Sequence, residues 1–414
     1  MKHRTPMKLV TIIGARPQII KAAALSRAIR NHYADRIQEV IVHTGQHYDD
    51  NMSQVFFDEL QIPRPDYNLH VGSASHGVQT ARMTEGIEAI LIKEKPDFIV
   101  LYGDTNSTLA GAVAAAKIHV PIIHIEAGLR SFNKSMPEEI NRIVCDHCST
   151  LLFTPTKAGL DNLRHEGFPI EEGGPSTGSG TAIPTIDNPK VYHCGDIMYD
   201  NSLHFANIAE KKTDIIQRLE LKDKPFILAT IHRDSNTDQP ERLGAIFSAL
   251  IQLSKECQVV LPLHPRTSKL LKTNLEEKLQ EQIFNSPNII LIPPVSFLEI
   301  IALERHAQLV ITDSGGVQKE AYFFKKPCII LRPETEWVEI VQTGNAILAD
   351  ADGSRIMDAW QHFKNNPPTA FPEIFGDGHA AEFMLDKIIS CKVLYIKKKC
   401  VLLHPRFQNR SIKH

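Results

Sequence analysis

Apolar residues along this 414-residue chain fall into short compact runs, with amphipathic stretches between them. KLVTIIGA (8–15), QEVIVHTG (38–45), DFIVLYGD (97–104), PIIHIEAG (121–128) and TLLFTPT (150–156) are rich in β-branched residues and end in Gly, Asp or Thr. Such runs, apolar at successive positions, predict strands covered on both faces. Between them, PQIIKAAALSRAIRNHY, GVQTARMTEGIEAILIKEK and STLAGAVAAAKIHV repeat apolar residues every three or four positions, the spacing of a helix with one buried face. Strand and helix alternating in this way predict a doubly wound parallel sheet.

The pattern breaks at EEGGPSTGSGTAIPTIDNP (171–189), whose Gly, Pro, Ser and Thr suit a linker or a flexible insertion. It resumes with KVYHCGD, PFILATIHR, QVVLPLHPR, NIILIPPV, AQLVITDSGG, PCIILRPE and NAILAD, which predict a second sheet of the same kind. The expected organisation is therefore two α/β domains, at 1–186 and 187–375. A C-terminal helix and basic tail are expected over 376–414. Two doubly wound domains in series imply an interdomain cleft faced by the carboxyl ends of both sheets, the edge where such sheets bind ligands.

Composition narrows the classes. A net charge of −2 gives no bulk attraction for nucleic acid or for an acidic membrane surface. The start, MKHRTPMKLVTIIGARPQ, turns into a strand without a long apolar stretch, and no run reaches the roughly 18 residues of a membrane span. Seven scattered cysteines read as reduced thiols, so a cytoplasmic protein is expected. Cys145 and Cys148 form one CxxC, but no second pair completes the four ligands of a zinc site, and no metal is expected.

Candidate chemistry clusters at strand ends. In VITDSGGVQKEA, Asp313 and Ser314 can cap, Gly315 and Gly316 make a turn whose backbone amides can reach an anion, and a helix is expected from Val317 with Glu320 within its first turns. An ordinary capped βα turn explains that stretch equally well. In TIIGARPQ, Gly14 and Pro17 fix a turn that holds Arg16, a potential phosphate clamp. His43, His232 and His264 end three strands, the last two close to Arg233 and Arg266, as in an anion-lined site. Asp104 and Glu126 end two strands and Glu138 opens a helix. Each has a plain alternative: Asp104 a helix cap, Glu126 a buried edge acid paired with His124 or Arg130, Glu138 an i,i+4 partner of Arg142. Together they suit proton transfer beside a phosphate site.

In order, GARPQ, HTGQHYDDNM, YGDTNSTLAGA, HIEAGLRS, MPEEINR, CGDIMYD, TIHRDSN, TDSGGVQKEA and RPETEW resemble the non-hydrolysing UDP-N-acetylglucosamine 2-epimerases, over about residues 8–350. The resemblance implies a glycosyltransferase-B-like pair of Rossmann-like domains, and C2 epimerisation of a UDP-sugar with no cofactor. Elimination and re-addition of UDP would pass through a 2-acetamidoglucal, in a homodimer making surface-polysaccharide precursors. It implies catalytic roles for Asp104, Glu126, Glu138 and His232. Arg16, Arg142, His264, Ser314, Gly315, Gly316 and Glu320 would hold substrate, Glu320 at the ribose, and Gln46 and His47 would belong to a second, regulatory site. Gln18, Ser235 and Trp337 depart from common family residues; these variants resemble relatives acting on UDP-2,3-diacetamido-2,3-dideoxy-glucuronate and imply an altered sugar pocket. A glycosyltransferase of the same architecture and a hydrolysing epimerase are the alternatives.

Overall fold

The computed structural model describes residues 6–45, 63–170 and 183–402, the stretch from 392 onward as helical backbone. Contacts divide the chain into two compact units, one formed by the residues up to Asp200 together with those from Phe375 on, the other by Asn201–Ile374.

In the first unit β1 (Met7–Ile13) leads into α1 (Arg16–Ala28), then β2 (Ile37–His43), the short β3 (Tyr67–Asn68) and α2 (His76–Glu94). Next come β4 (Phe98–Tyr102), α3 (Asn106–Lys117), β5 (Ile122–Ile125), α4 (Pro137–Cys148), β6 (Leu151–Thr154), α5 (Lys157–His165) and β7 (Lys190–His193). Among the described residues these strands form one parallel sheet in the order β3-β2-β1-β4-β5-β6-β7. Val10, Ile12, Val42, Ile99 and Leu101 pack on one face against Met83 and Ile87 of α2 and Ala110 and Ala114 of α3. That burial, at roughly 25 cal/mol per Å² of apolar surface, fixes the register that puts Gly14, Thr44, Gly103 and Glu126 along one edge.

The second unit contains most of α6 (Ile197–Lys212), then α7 (Ile215–Arg218), β8 (Phe226–Thr230), α8 (Asp234–Thr237), α9 (Pro240–Leu253), β9 (Gln258–Pro262), α10 (Pro265–Asn274), α11 (Glu277–Phe284), β10 (Ile289–Ile292) and α12 (Phe297–His306). β11 (Leu309–Thr312), α13 (Gly315–Phe323), β12 (Cys328–Ile330), α14 (Val338–Gln342), β13 (Ala346–Leu348) and α15 (Gly353–Asn365) complete it. Its parallel sheet runs β10-β9-β8-β11-β12-β13. Ile227, Val259 and Ile311 pack with Phe247 and Leu250 of α9 and Trp360 of α15.

Strand order reverses between β1 and β4 in one sheet and between β8 and β11 in the other, so each unit has a topological switch point at its carboxyl edge. Both sheets are Rossmann-like, as expected. The domain limits differ from the expected 186/187 and 375/376. KVYH, read as the opening strand of the second domain, is β7 and pairs with β6. The C-terminal helix α16 (Ala380–Leu402) belongs to the first unit, where it packs on α1. Strand composition announces a strand; which sheet receives it depends on long-range pairing that the local pattern does not carry.

Candidate active site

In the first unit the switch point is tightly built. A Cβ on Gly14 would lie 2.1 Å from Thr44 Oγ1 and 2.2 Å from Ser107 Oγ, hence glycine at that position. Gln18 is 1 % exposed: its Oε1 accepts from the N–H groups of Gly14 (2.9 Å) and Ala15 (3.2 Å). Its Nε2 donates to the Tyr102 carbonyl (3.0 Å) and Thr108 Oγ1 (3.0 Å). Gln18 thus ties the first βα turn to the β4 end, and is structural rather than part of a pocket wall. Arg16 stands exposed as the first residue of α1.

Asp104 follows β4 and Glu126 follows β5, with Gly103 (φ +61°) and Glu126 (φ +72°) both in the left-handed region. Each acid faces a cation: Arg142 pairs with Asp104, and Lys21 of α1 pairs with Glu126. Glu126 therefore meets neither expected partner, since His124 and Arg130 both bind Asp146 instead. Lys21, 105 residues from Glu126, went unrecognised because helical pairing gave no reason to join it to that acid. Its sequence signal is a charge inside the apolar IIKAAAL stretch of α1.

Glu138 and Glu139 divide their roles. Glu139, 1 % exposed, accepts from the backbone N–H groups of Ser131 (2.9 Å) and Phe132 (3.0 Å) and pairs with Arg142 at 3.0 Å. The expected Glu138–Arg142 pair does not form; Arg142 binds Glu139, three residues before it, and Asp104. Glu138 stays exposed in the first turn of α4. Arg142, expected at the diphosphate, has its guanidinium engaged by these two carboxylates, while its buried Nε has no hydrogen-bond partner among the described residues.

In the second unit the carboxyl edge gathers His232, Arg233, His264, Ser314 and Arg332. Asp313, fully buried, orders this edge: its carboxylate accepts from the N–H groups of His232 (3.1 Å) and Arg233 (3.0 Å) and from Asn236 Nδ2 (3.2 Å). It also lies 3.3 Å from His232 Nδ1. Desolvation is the largest influence on His232 and lowers its pKa; Asp313 opposes it, while Arg233 and His264 add to the lowering. The imidazole is neutral near pH 7, with its ring 6.2 Å from that of His264. His264 caps α10 by accepting from the Arg266 N–H at 3.3 Å, and Arg266 turns to the exposed Asp238.

Ser314 is the N-cap of α13, its Oγ accepting from Val317 N–H at 3.5 Å. Gly315 and Gly316 are the first helical turn rather than a separate bend before it. Cβ atoms there would find their nearest neighbours at 3.7 and 3.8 Å, so nothing inside the unit demands glycine. Bare backbone at a helix start is what an approaching anion requires. Around Gly315 stand Arg332, Glu336 and Trp337, with Arg332 and Glu336 joined by two hydrogen bonds of 3.0 and 2.9 Å. Trp337 is 6 % exposed under the Lys319 ammonium (4.0 Å), and Ser235 is exposed on α8. Glu320 shares a site with the fully buried Glu304, whose pKa burial and the Glu320 charge push well up. Gln46 and His47 lie outside the described residues.

Two Rossmann-like units, one with paired acids and cations at its switch point and one with a bare helix start, define an enzyme of the glycosyltransferase-B-like class. The sequence pattern of the family described as UDP-N-acetylglucosamine 2-epimerase matches residues 28–389. A UDP-N-acetylglucosamine 2-epimerase homolog of Methanococcus maripaludis is 47 % identical over 376 residues, 91 % of this chain and 97 % of the relative. The UDP-2,3-diacetamido-2,3-dideoxy-D-glucuronate 2-epimerase of Pseudomonas aeruginosa is 46 % identical over the same shares. Among solved structures, the Methanocaldococcus jannaschii UDP-GlcNAc 2-epimerase in complex with UDP-GlcNAc and UDP aligns with a TM-score of 0.76 at 39 % identity, covering 93 % of this chain and all of that one. The chain belongs to the UDP-N-acetylglucosamine 2-epimerase family and, as a UDP-sugar 2-epimerase, is an isomerase.

Proposed function

We propose that this enzyme inverts C2 of a UDP-2-acetamido sugar by eliminating UDP and adding it back. A carboxylate of the first unit removes the C2 proton as the C1–O bond breaks and its electron pair leaves with the β-phosphate, giving a 2-acetamidoglucal and UDP. Protonation of C2 from the opposite face and return of the UDP oxygen to C1 complete the inversion. No redox cofactor enters this sequence.

The observation that carries the reading is the pairing of two strand-end acids with two cations, Asp104 with Arg142 and Glu126 with Lys21. Such pairing lets acids work near a diphosphate without accumulating negative potential. Glu138, not held by Arg142, is the third proton carrier. In the second unit Ser314, Gly315 and Gly316 suit the phosphates and Glu320 the ribose. Desolvation keeps the His232 imidazole neutral near pH 7; a diphosphate beside it raises its proton affinity, so that UDP departs toward an imidazolium able to donate. Arg16 and His264 add donors for the same anion. The stronger likeness to the diacetamido-glucuronate enzyme (46 %) than to the M. jannaschii UDP-GlcNAc enzyme (40 %) favours the uronate as substrate. The enzyme would then act in the cytoplasm, as a homodimer, in the supply of surface-polysaccharide precursors.

Incubation with each of these two UDP-sugars in deuterated water tests the reading. One of them gains deuterium at C2 with UDP still attached, and Asp104→Asn and Glu126→Gln lower that exchange by about 10²- to 10⁴-fold while UDP binding persists. Free sugar in the product would mean a hydrolysing enzyme instead. Transfer to an acceptor without C2 exchange would mean a glycosyltransferase.

A further inference from the structure

Behind the two acids lies a chain of charges, buried at His124, Asp146 and Arg130, that the proposed chemistry does not use. His124 of β5 is fully buried, with Nδ1 2.6 Å from Asp146 Oδ1 and Nε2 2.8 Å from the carbonyl oxygen of Gly103. Asp146, on α4 and also fully buried, accepts at Oδ2 from Arg130 (2.8 Å) and from the Gly128 N–H (3.1 Å). Arg130 in turn grips Glu166 with two hydrogen bonds of 2.7 Å, and His147 lies 3.3 Å behind Glu166. Both ring nitrogens of His124 thus face acceptors. A neutral imidazole has one N–H and leaves one contact repulsive; only the imidazolium satisfies both. Asp146, ringed by three donors, remains the anion.

The second contact gives this ion its use. Gly103 is bonded on both sides to β5: its N–H donates to the Ile125 carbonyl (3.0 Å), and its C=O accepts from His124. It immediately precedes Asp104, and a Cβ placed on it would lie 3.2 Å from Lys21 Nζ and 3.4 Å from Glu126 Oε2. One residue therefore meets both acids. We infer that Asp146 and His124 form a positioning pair: the buried imidazolium clamps the Gly103 carbonyl and so sets Asp104 against the Glu126–Lys21 pair. The pair touches no substrate and acts through the turn. The inference rests on the reading of Asp104 and Glu126 as the proton carriers. Burial opposes the second proton, while Cys145 and Asp146 favour it, leaving the pKa of His124 well above its ordinary value. The charged and titratable groups around the ring are Asp146 and Cys145 on α4 and Arg130 after β5, with Glu166 and His147 beyond Arg130.

Asp146→Asn separates positioning from mere packing. The amide keeps an acceptor for Nδ1–H but removes the charge that favours the second proton, leaving burial to oppose it, so the variant gives up that proton far more readily than wild type. Once it is lost a bare Nε2 faces the Gly103 carbonyl and the turn loosens. The variant's kcat for C2 exchange, measured with UDP-2,3-diacetamido-2,3-dideoxy-glucuronate and with UDP-GlcNAc, should be about 10-fold or more below wild type at pH 8.5, and the gap should narrow as pH falls, with KM unchanged. Magic-angle-spinning ¹⁵N spectra of histidine-labelled full-length enzyme, with His124→Gln for assignment, should show both His124 nitrogens protonated in wild type from pH 6 to 8.5. A bare His124 nitrogen in wild type overturns the inference, even if Asp146→Asn fails to fold. A wild-type-to-variant kcat ratio that stays constant with pH does so as well. Full exchange by Asp104→Asn and Glu126→Gln would instead sink the reading of the acids, leaving the charge state of His124 as found.

Discussion

Phe132 shows what a single residue can reveal. It follows the Leu129–Ser131 stretch with φ at +56° and its ring 81 % exposed, held there by the Glu139 carboxylate on its own amide and that of Ser131. Left-handed backbone costs an L-residue about 1–2 kcal/mol, and no burial of the ring offsets it. Strain of this kind collects where a surface is shaped for use. Phe132→Asn, whose side chain tolerates this conformation, should therefore raise the thermal midpoint, whereas Phe132→Val should lower it; a fall with Asn would show that the ring stabilises the fold. Glu139 itself was passed over in the sequence for its neighbour Glu138. MPEEINR marks both acids alike, and only the helix phase decides that one points into the protein. The same limit hid the Lys21–Glu126 pair. Residue types at strand ends were legible, but the cation each acid meets comes from another element.

At the scale of elements, the first βα turn joins β1, β4 and α3 through hydrogen bonds that converge on the Gln18 side chain. Removing the amide of Gln18 would leave the buried Gly14 and Ala15 N–H groups without their acceptor, at about 1–3 kcal/mol for each unsatisfied group. Gln18→Leu should thus lower stability by roughly 3 kcal/mol and slow exchange as well, because the same network reaches the Tyr102 carbonyl, two residues before Asp104. Denaturant titration and the deuterium assay on one preparation check both; an unaltered midpoint would mean that water replaces the amide. Strand runs, helix spacing and the capped turn before α13 were readable because each depends on local chemistry. That Gly315 and Gly316 sit inside the helix was not, since two glycines fit a bend or a first turn equally well.

At the scale of the molecule, two doubly wound sheets were legible from alternation alone, yet the chain closes its first unit with a segment from its far end. Ala380, Met384, Leu385 and Ile388 of α16 are buried there, and the helix starts on Asp200, whose carboxylate accepts from the Ala380 (3.1 Å) and Ala381 (2.8 Å) N–H groups. Sequence gives α16 a helical pattern but no address. Burial, against the help of these two amides, raises the pKa of Asp200 from 3.8 to about 6, with Glu382 and Asp196 adding repulsion. A carboxyl raised in the folded state lends its full stability below about pH 3.8 and loses it as pH climbs through about 6. At ~1.4 kcal/mol per pH unit the rise amounts to about 3 kcal/mol of strain at pH 7.5, an upper bound. Asp200→Asn keeps one acceptor for the helix start and sheds the charge. Its thermal midpoint should exceed that of wild type at pH 7.5, by the equivalent of about 1–2 kcal/mol, and the advantage should vanish by pH 4. Other buried acids such as Glu39 occur in both proteins, so their titration cancels from the difference between the two curves. A variant less stable than wild type at pH 7.5 would mean that the charge-assisted hold on the α16 start outweighs the desolvation of Asp200.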